Sequence, residues 1–127
     1  MQGLGFNLKK DNCLIVKGDD EVFEDSEFYG KDFFVKVKPL SKSDWRVIRR
    51  ECTTKSGIDD LMFSTKVFMK CVVDWDINDD EGNPIECNEE NKKIIDNKFM
   101  TFSSRISTSA LRAYHEKEKE VELEKKD

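Results

Sequence analysis

At 127 residues the chain has the length of one domain, enough to bury roughly 65–70% of the surface its unfolded form exposes. Charged residues make up 39%, yet nine Phe, two Trp and two Tyr supply a core and argue against global disorder. A net charge of −5 speaks against electrostatic capture of nucleic acid, and no apolar run reaches the ~18–20 residues of a membrane span.

Residues 1–12 hold Gly3 and Gly5 and few periodic apolar positions, which suggests a mobile N-terminal arm. Residues 13–17 form a short β-rich run, and Gly18-Asp-Asp20 is turn chemistry. Residues 21–30 are acidic with Phe23, Phe28 and Tyr29 interspersed, and read as a second short strand followed by a loop. In residues 31–38, Phe33, Val35 and Val37 alternate with Phe34, Lys36 and Lys38. That is the period of a half-exposed strand, ended by Pro39.

A helix opens at Ser41. Ser41 fits the N-cap, Asp44 lies in the first turn, and Leu40 and Trp45 occupy the staple positions. Trp45, Ile48 and Cys52 share a face, Arg46, Arg49 and Arg50 point elsewhere, and Gly57 is the expected stop. Residues 59–75 fit two periods. As a helix, Leu61, Thr65, Phe68 and Val72 stack with Met62 and Met69 beside them. As a strand, residues from Phe63 to Trp75 alternate until Phe68 and Val72 break the pattern. Seventeen residues is long for a strand, and Asp59 and Asp60 suit a helix start, so a helix with an extended last turn is expected.

Residues 81–84 form a turn on composition. Asn88 then caps a helix in which Ile95, Phe99, Phe102, Ile106 and Ala110 recur at helical spacing, with a break near residues 96–98. Past Tyr114, residues 116–127 are a charged helical extension or tail. The fold class is therefore α+β: short N-terminal strands, then about three helices, with a single domain over residues 13–115.

Chemistry is sparse. Cys13, Cys52, Cys71 and Cys87 lie far apart with no Cys-x-x-Cys pair, and His115 is the one histidine. No metal site or cofactor is expected, and inert free thiols with no secretory leader point to a reducing cytoplasm. Residues 74–90 carry eight acids and no base, and Asp74, Asp76 and Asn78 match positions 1, 3 and 5 of an EF-hand loop. Asp79 stands where that loop needs Gly, and Ile85 where it needs the bidentate Glu, so a calcium-dependent binding module is the lesser reading. No catalytic constellation is present, and a nucleic-acid regulator using Arg46, Arg49 and Arg50 is opposed by the net charge.

The order of segments carries a resemblance. "FFVKVKPLS", "DWRVIRREC" with "TTKSG", and "VVDWDINDDEGNPIECNEENK" before a closing helix resemble small tail-assembly chaperones of long-tailed bacteriophages and prophages. That family commonly carries a Val-x-Asp-Trp core, an acidic Asp-Gly-Asn-Pro turn and a polar N-cap before Glu-Asn-Lys. The matching residues here are 72–75, 80–84 and 88–92, within a resemblance spanning about residues 33–113. The first thirty residues have no counterpart, and Asn88 stands where Thr is common.

The resemblance implies a non-enzymatic protein of the host bacterial cytoplasm that binds the tape-measure protein, assists recruitment of tail tube protein, and self-associates. A tail or connector accessory subunit retained in the virion is the alternative. A small acidic protein with an apolar helical face suits the chaperone role. The contact residues it suggests are Phe68, Met69, Val72, Phe99, Phe102 and Ile106. Asp74, Trp75, Asp76, Gly82, Pro84 and Asn88 form a structural motif in which Trp75 anchors the loop.

Overall fold

The structure, a computed structural model, describes residues 13–125, with side chains through His115. The expected N-terminal arm, residues 1–12, lies outside the described residues. The order is β1 (Leu14–Lys17), a 3-10 turn (Glu21–Phe23), β2 (Phe34–Val37), α1 (Lys42–Cys52), β3 (Thr53–Thr54), β4 (Gly57–Ile58), α2 (Asp60–Cys71), β5 (Val72–Asp76), α3 (Glu89–Lys98) and α4 (Met100–Lys125). This is an α+β architecture in which a small antiparallel sheet, ordered β1-β2-β5, packs against the helices.

Strand β2 is central. It pairs with β1 through Leu14↔Val37 to Lys17↔Phe34, and with β5 through Val35↔Trp75 and Lys36↔Asp74. Val16, Val35, Val37, Val72 and Trp75 point into the core. Between the Lys36↔Asp74 and Val37↔Val72 pairs the register slips, leaving Val73 as the extra residue of a bulge. The bulge turns Val73 and Asp74 outward together while Val72 and Trp75 remain buried.

Two expectations are corrected here and one is sharpened. Residues 21–30 are not a strand. Asp20 Oδ1 accepts from Val22 N, a 3-10 turn follows, and Val22 and Phe23 drop into the core. The helix expected over 59–75 forms from Asp60 to Cys71, and its expected extended last turn is a full strand, because Val72, Val73 and Trp75 find the open edge of β2; strand pairing outweighs helical continuation there. Gly57 does not stop α1. It opens β4 with φ 118°, just after the two-residue turn Lys55–Ser56 of the β3–β4 hairpin, and Thr53 is the helix cap.

The helices follow their caps. Ser41 Oγ accepts from Asp44 N at 3.1 Å, Asp59 Oδ1 from Met62 N at 3.1 Å, and Asn88 Oδ1 from Asn91 N at 2.8 Å. Helix α2 buries Val67, Phe68 and Cys71 and leaves Leu61 and Met62 exposed, so its inner face is rotated from the expected one. The closing helical region is two helices, separated at Phe99, which makes four α-helices where about three were expected.

Helix α4 packs along α2 through small residues: Ser103, Ser107 and Ala110 are buried, and Ser107 Oγ donates to Ser64 O at 2.7 Å. Asp96 of α3 ties three helices, accepting from Thr65 Oγ1 and Ser103 Oγ. Lys92 Nζ donates to Val72 O at 2.6 Å and to Met69 O at 3.3 Å, setting a positive charge on the C-terminal end of α2. Arg105 Nη1 reaches Val22 O and Glu24 O, both at 3.0 Å, and fastens α4 to the 3-10 turn.

Gly18 sits where the turn after β1 meets the strand before β2. A Cβ there would fall on the Lys31 carbonyl and 3.0 Å from the Phe33 ring. Gly18→Ala is expected to destabilise the fold by about 1–3 kcal/mol, read as a lower urea midpoint with unchanged slope.

Candidate functional site

An apolar concavity lies at the end of the sheet where β5 runs out. It is an open groove of about 710 Å3 between the segment before β2, the loop after β5, α3 and the start of α4. Phe28, Phe33, Ile77, Ile85, Ile94 and Phe99 supply its apolar walls, with Ile95 and Phe102 beneath. Lys31, Asp32, Asp79, Asp80, Asn91 and Lys98 form the rim.

The loop wall is built by local bonds. Asp79 Oδ1 accepts from Glu81 N at 3.0 Å and Asn83 N at 2.8 Å, and Gly82 at φ 86° takes the conformation that closes the turn. Ile85 N donates to Ile77 O, and Asn78 bridges to Pro84. Trp75 is buried beneath, and its Nε1 donates to Ile85 O at 2.7 Å. On the far side, Asn91 Nδ2 holds Glu86 O at 2.8 Å. The middle of the acidic stretch, with Asp79, Asp80 and Glu81, is thus a shaped hairpin anchored through Trp75.

Phe99 is placed by the break between α3 and α4. Its φ of −129° and ψ of 62° leave the helical region, its N–H donates to Ile95 O at 2.7 Å, and its ring is 46% exposed. Beside it, Ile94 is 44% exposed.

Of the six contact residues named from sequence, Phe68, Val72, Phe102 and Ile106 are core residues, so they cannot meet a partner without unfolding. Met69 is half-buried, Phe102 forms part of the buried floor of the groove, and Phe99 is the one of the six that stands exposed in it. The correction has a simple cause: the faces of α2 and α4 that carry these residues pack on each other and on the sheet. Sequence reasoning missed Phe28, Phe33, Ile77, Ile85 and Ile94 as groove residues. The available signal was the Ile94-Ile95 pair, since one helix face cannot bury both.

The motif residues Asp74, Trp75, Asp76, Gly82, Pro84 and Asn88 lie along one continuous stretch, with Asp74 and Asp76 on β5. A strand therefore enters this loop where an EF-hand requires a helix. Asp74 Oδ1 is turned back to Trp75 N at 2.9 Å. Among the described residues no cluster of three His, Cys, Asp or Glu side chains could hold a metal ion. No helix there is long and apolar enough to cross a membrane.

The thiols are separate. Cys52, Cys71 and Cys87 are free thiols, and burial pushes the Cys71 thiol from its ordinary 9.0 up to about 11. Burial also raises Cys52 and Cys87. No family model, curated protein or solved structure matches the chain.

Two outcomes follow. Trp75→Phe keeps the ring but orphans Ile85 O, which should cost about 1 kcal/mol and speed amide exchange in residues 77–86. For Cys71, the raised pKa means the folded state favours the protonated thiol. The associated stability is full below about pH 9 and is lost as pH rises through about 11. Alkylation at about pH 8 should therefore spare Cys52 and Cys71 until the protein is unfolded.

Proposed function

We propose that this protein is a non-enzymatic tail-assembly chaperone of a long-tailed bacteriophage, acting in the host cytoplasm on the tape-measure protein and assisting its meeting with tail tube protein. The observation that carries the reading is the groove, which keeps Ile94 and Phe99 open to solvent beside Phe28, Phe33, Ile77 and Ile85. An amphipathic helical segment of an aggregation-prone partner would lay its apolar stripe there, as helix-in-groove recognition requires. The acidic loop beside the groove keeps the loaded complex charged and opposes aggregation.

The same geometry shifts the contact surface from the interior faces of α2 and α4 to the junction of α3 and α4. Phe99 remains from the sequence-based set, and Ile94, Phe28 and Ile85 join it. Self-association is part of the reading, and the virion-retained accessory role is its competitor.

Co-expression with the tape-measure protein of the same phage is the test. Capture of a partner that is soluble only in the presence of this chain is expected, and mass spectrometry of mature particles should not find the chain. Ile94→Asp and Phe99→Asp should each weaken capture on the order of tenfold, with thermal midpoints shifted by only a few degrees. Failure of the unaltered chain to capture or solubilise the partner would overturn the reading.

A further inference from the structure

Helix α1 carries a charge imbalance that the described residues leave unanswered. Its acids face α2: Asp44 lies 3.8 Å from Lys70, and Glu51 accepts from Lys66 Nζ, which holds the Glu51 carboxyl below its usual range. Its cations face the other way. Lys42, Arg46 and Arg49 follow one another at spacings of four and three residues, with Arg50 beside them. Among the described residues none of these four makes an ion pair.

These cations line a second open groove, about 400 Å3, whose wall is Trp45 and Tyr114. The two rings stack at 6.1 Å with an interplanar angle of 15°, and Phe63 meets Trp45 edge-on at 5.3 Å. The groove is therefore a firm concave surface of one sign in a chain whose net charge is −5.

A matching surface exists on the same chain at the other end of the molecule. The acids of residues 74–90 are all exposed, and among the described residues only Glu89 has a cationic partner, Lys93 at 3.3 Å. Phe102 underlies the apolar groove bordered by Asp79 and Asp80, whereas Tyr114 walls the basic groove. Twelve residues of α4 separate the two rings, roughly 18 Å along the helix. That exceeds the screening length of about 8–10 Å at moderate salt, so the two surfaces do not neutralise each other within one molecule.

We propose that the basic groove of α1 receives the acidic loop, residues 74–90, of a second copy of this chain. Arginine forks suit carboxylates, and the loop offers carboxylates already presented on a shaped turn. A nucleic acid would meet the same four cations, but a net charge of −5 opposes its approach. The contact joins different surfaces, so an assembly of any length keeps one groove free at one end and one loop free at the other, and copies add head to tail. The inference does not rest on the tape-measure reading, because no partner protein enters it.

Sedimentation velocity over a concentration series, at about 20 mM and about 500 mM NaCl, tests it. Mass should rise with concentration at low salt and fall to the monomer at high salt. Two charge-reversed variants, Arg46→Glu/Arg49→Glu/Arg50→Glu and Asp80→Lys/Glu81→Lys/Glu86→Lys, change exposed residues and should each be monomeric alone. Mixed in equal amounts they should regain salt-sensitive association, a result that misfolded variants would not give.

The proposal is overturned by a monomer at low salt across the series, by association that survives in either variant alone, or by no recovery on mixing. A monomer that retards a DNA oligonucleotide in a salt-dependent manner, with loss of retardation in the arginine variant, would assign the groove to a polyanion instead. The salt response of the unaltered chain decides the matter even if one variant fails to fold.

Discussion

The structure turns on the ring of Phe102. It stacks on Phe23 at 5.7 Å, meets Phe28 at 5.2 Å and Phe33 at 5.7 Å, and touches Phe68 at 6.4 Å. Those contacts join the 3-10 turn, the segment entering β2, and helices α2 and α4. Aromatic pairs of this kind contribute about 0.5–1.5 kcal/mol each beyond their buried area, so one side chain gathers much of the cohesion between sheet and helices. The apolar groove is the outer rim of the same cluster: Phe28 touches both Phe102 inside and Phe99 outside. Core and candidate surface are consecutive layers of one aromatic assembly.

Local chemistry was the legible part. Ser41, Asp59 and Asn88 accept backbone bonds at helix starts, as their residue types and positions suggested, and Gly82 sits at the turn its neighbours required. The alternation of Val35 and Val37 placed β2 with its buried face correctly assigned. What failed depended on distant neighbours. The extended last turn was expected but its partner was not, since the pairing edge is supplied by Val35 to Val37, some way earlier in the chain. The bulge at Val73 then scrambled the alternation that might have revealed it.

The candidate site was less legible for a related reason. An apolar stripe on a helix does not reveal whether the fold already covers it, and Phe68, Val72, Phe102 and Ile106 are covered. The Ser-rich stretch after Phe102 looked like weak helix and is the close-packed seam of α4 on α2, where small side chains let the two backbones approach. That Lys42, Arg46, Arg49 and Arg50 make no ion pair among the described residues was equally hidden, because Asp44 and Glu51 are engaged by lysines of α2.

The guanidinium of Arg105 bonds a carbonyl 83 positions earlier, and Phe102 completes the cluster begun by Phe23. A ribosome delivers these two ends at very different times. Until α4 emerges, the nascent chain has made its first hairpin but has no lid for Phe23, Phe28 and Phe33. The sheet and α1 must wait as an open aromatic face, and the last helix closes the domain in a late, long-range step. Loss of the C-terminal quarter would therefore strip cover from the oldest part of the fold as well as remove a helix.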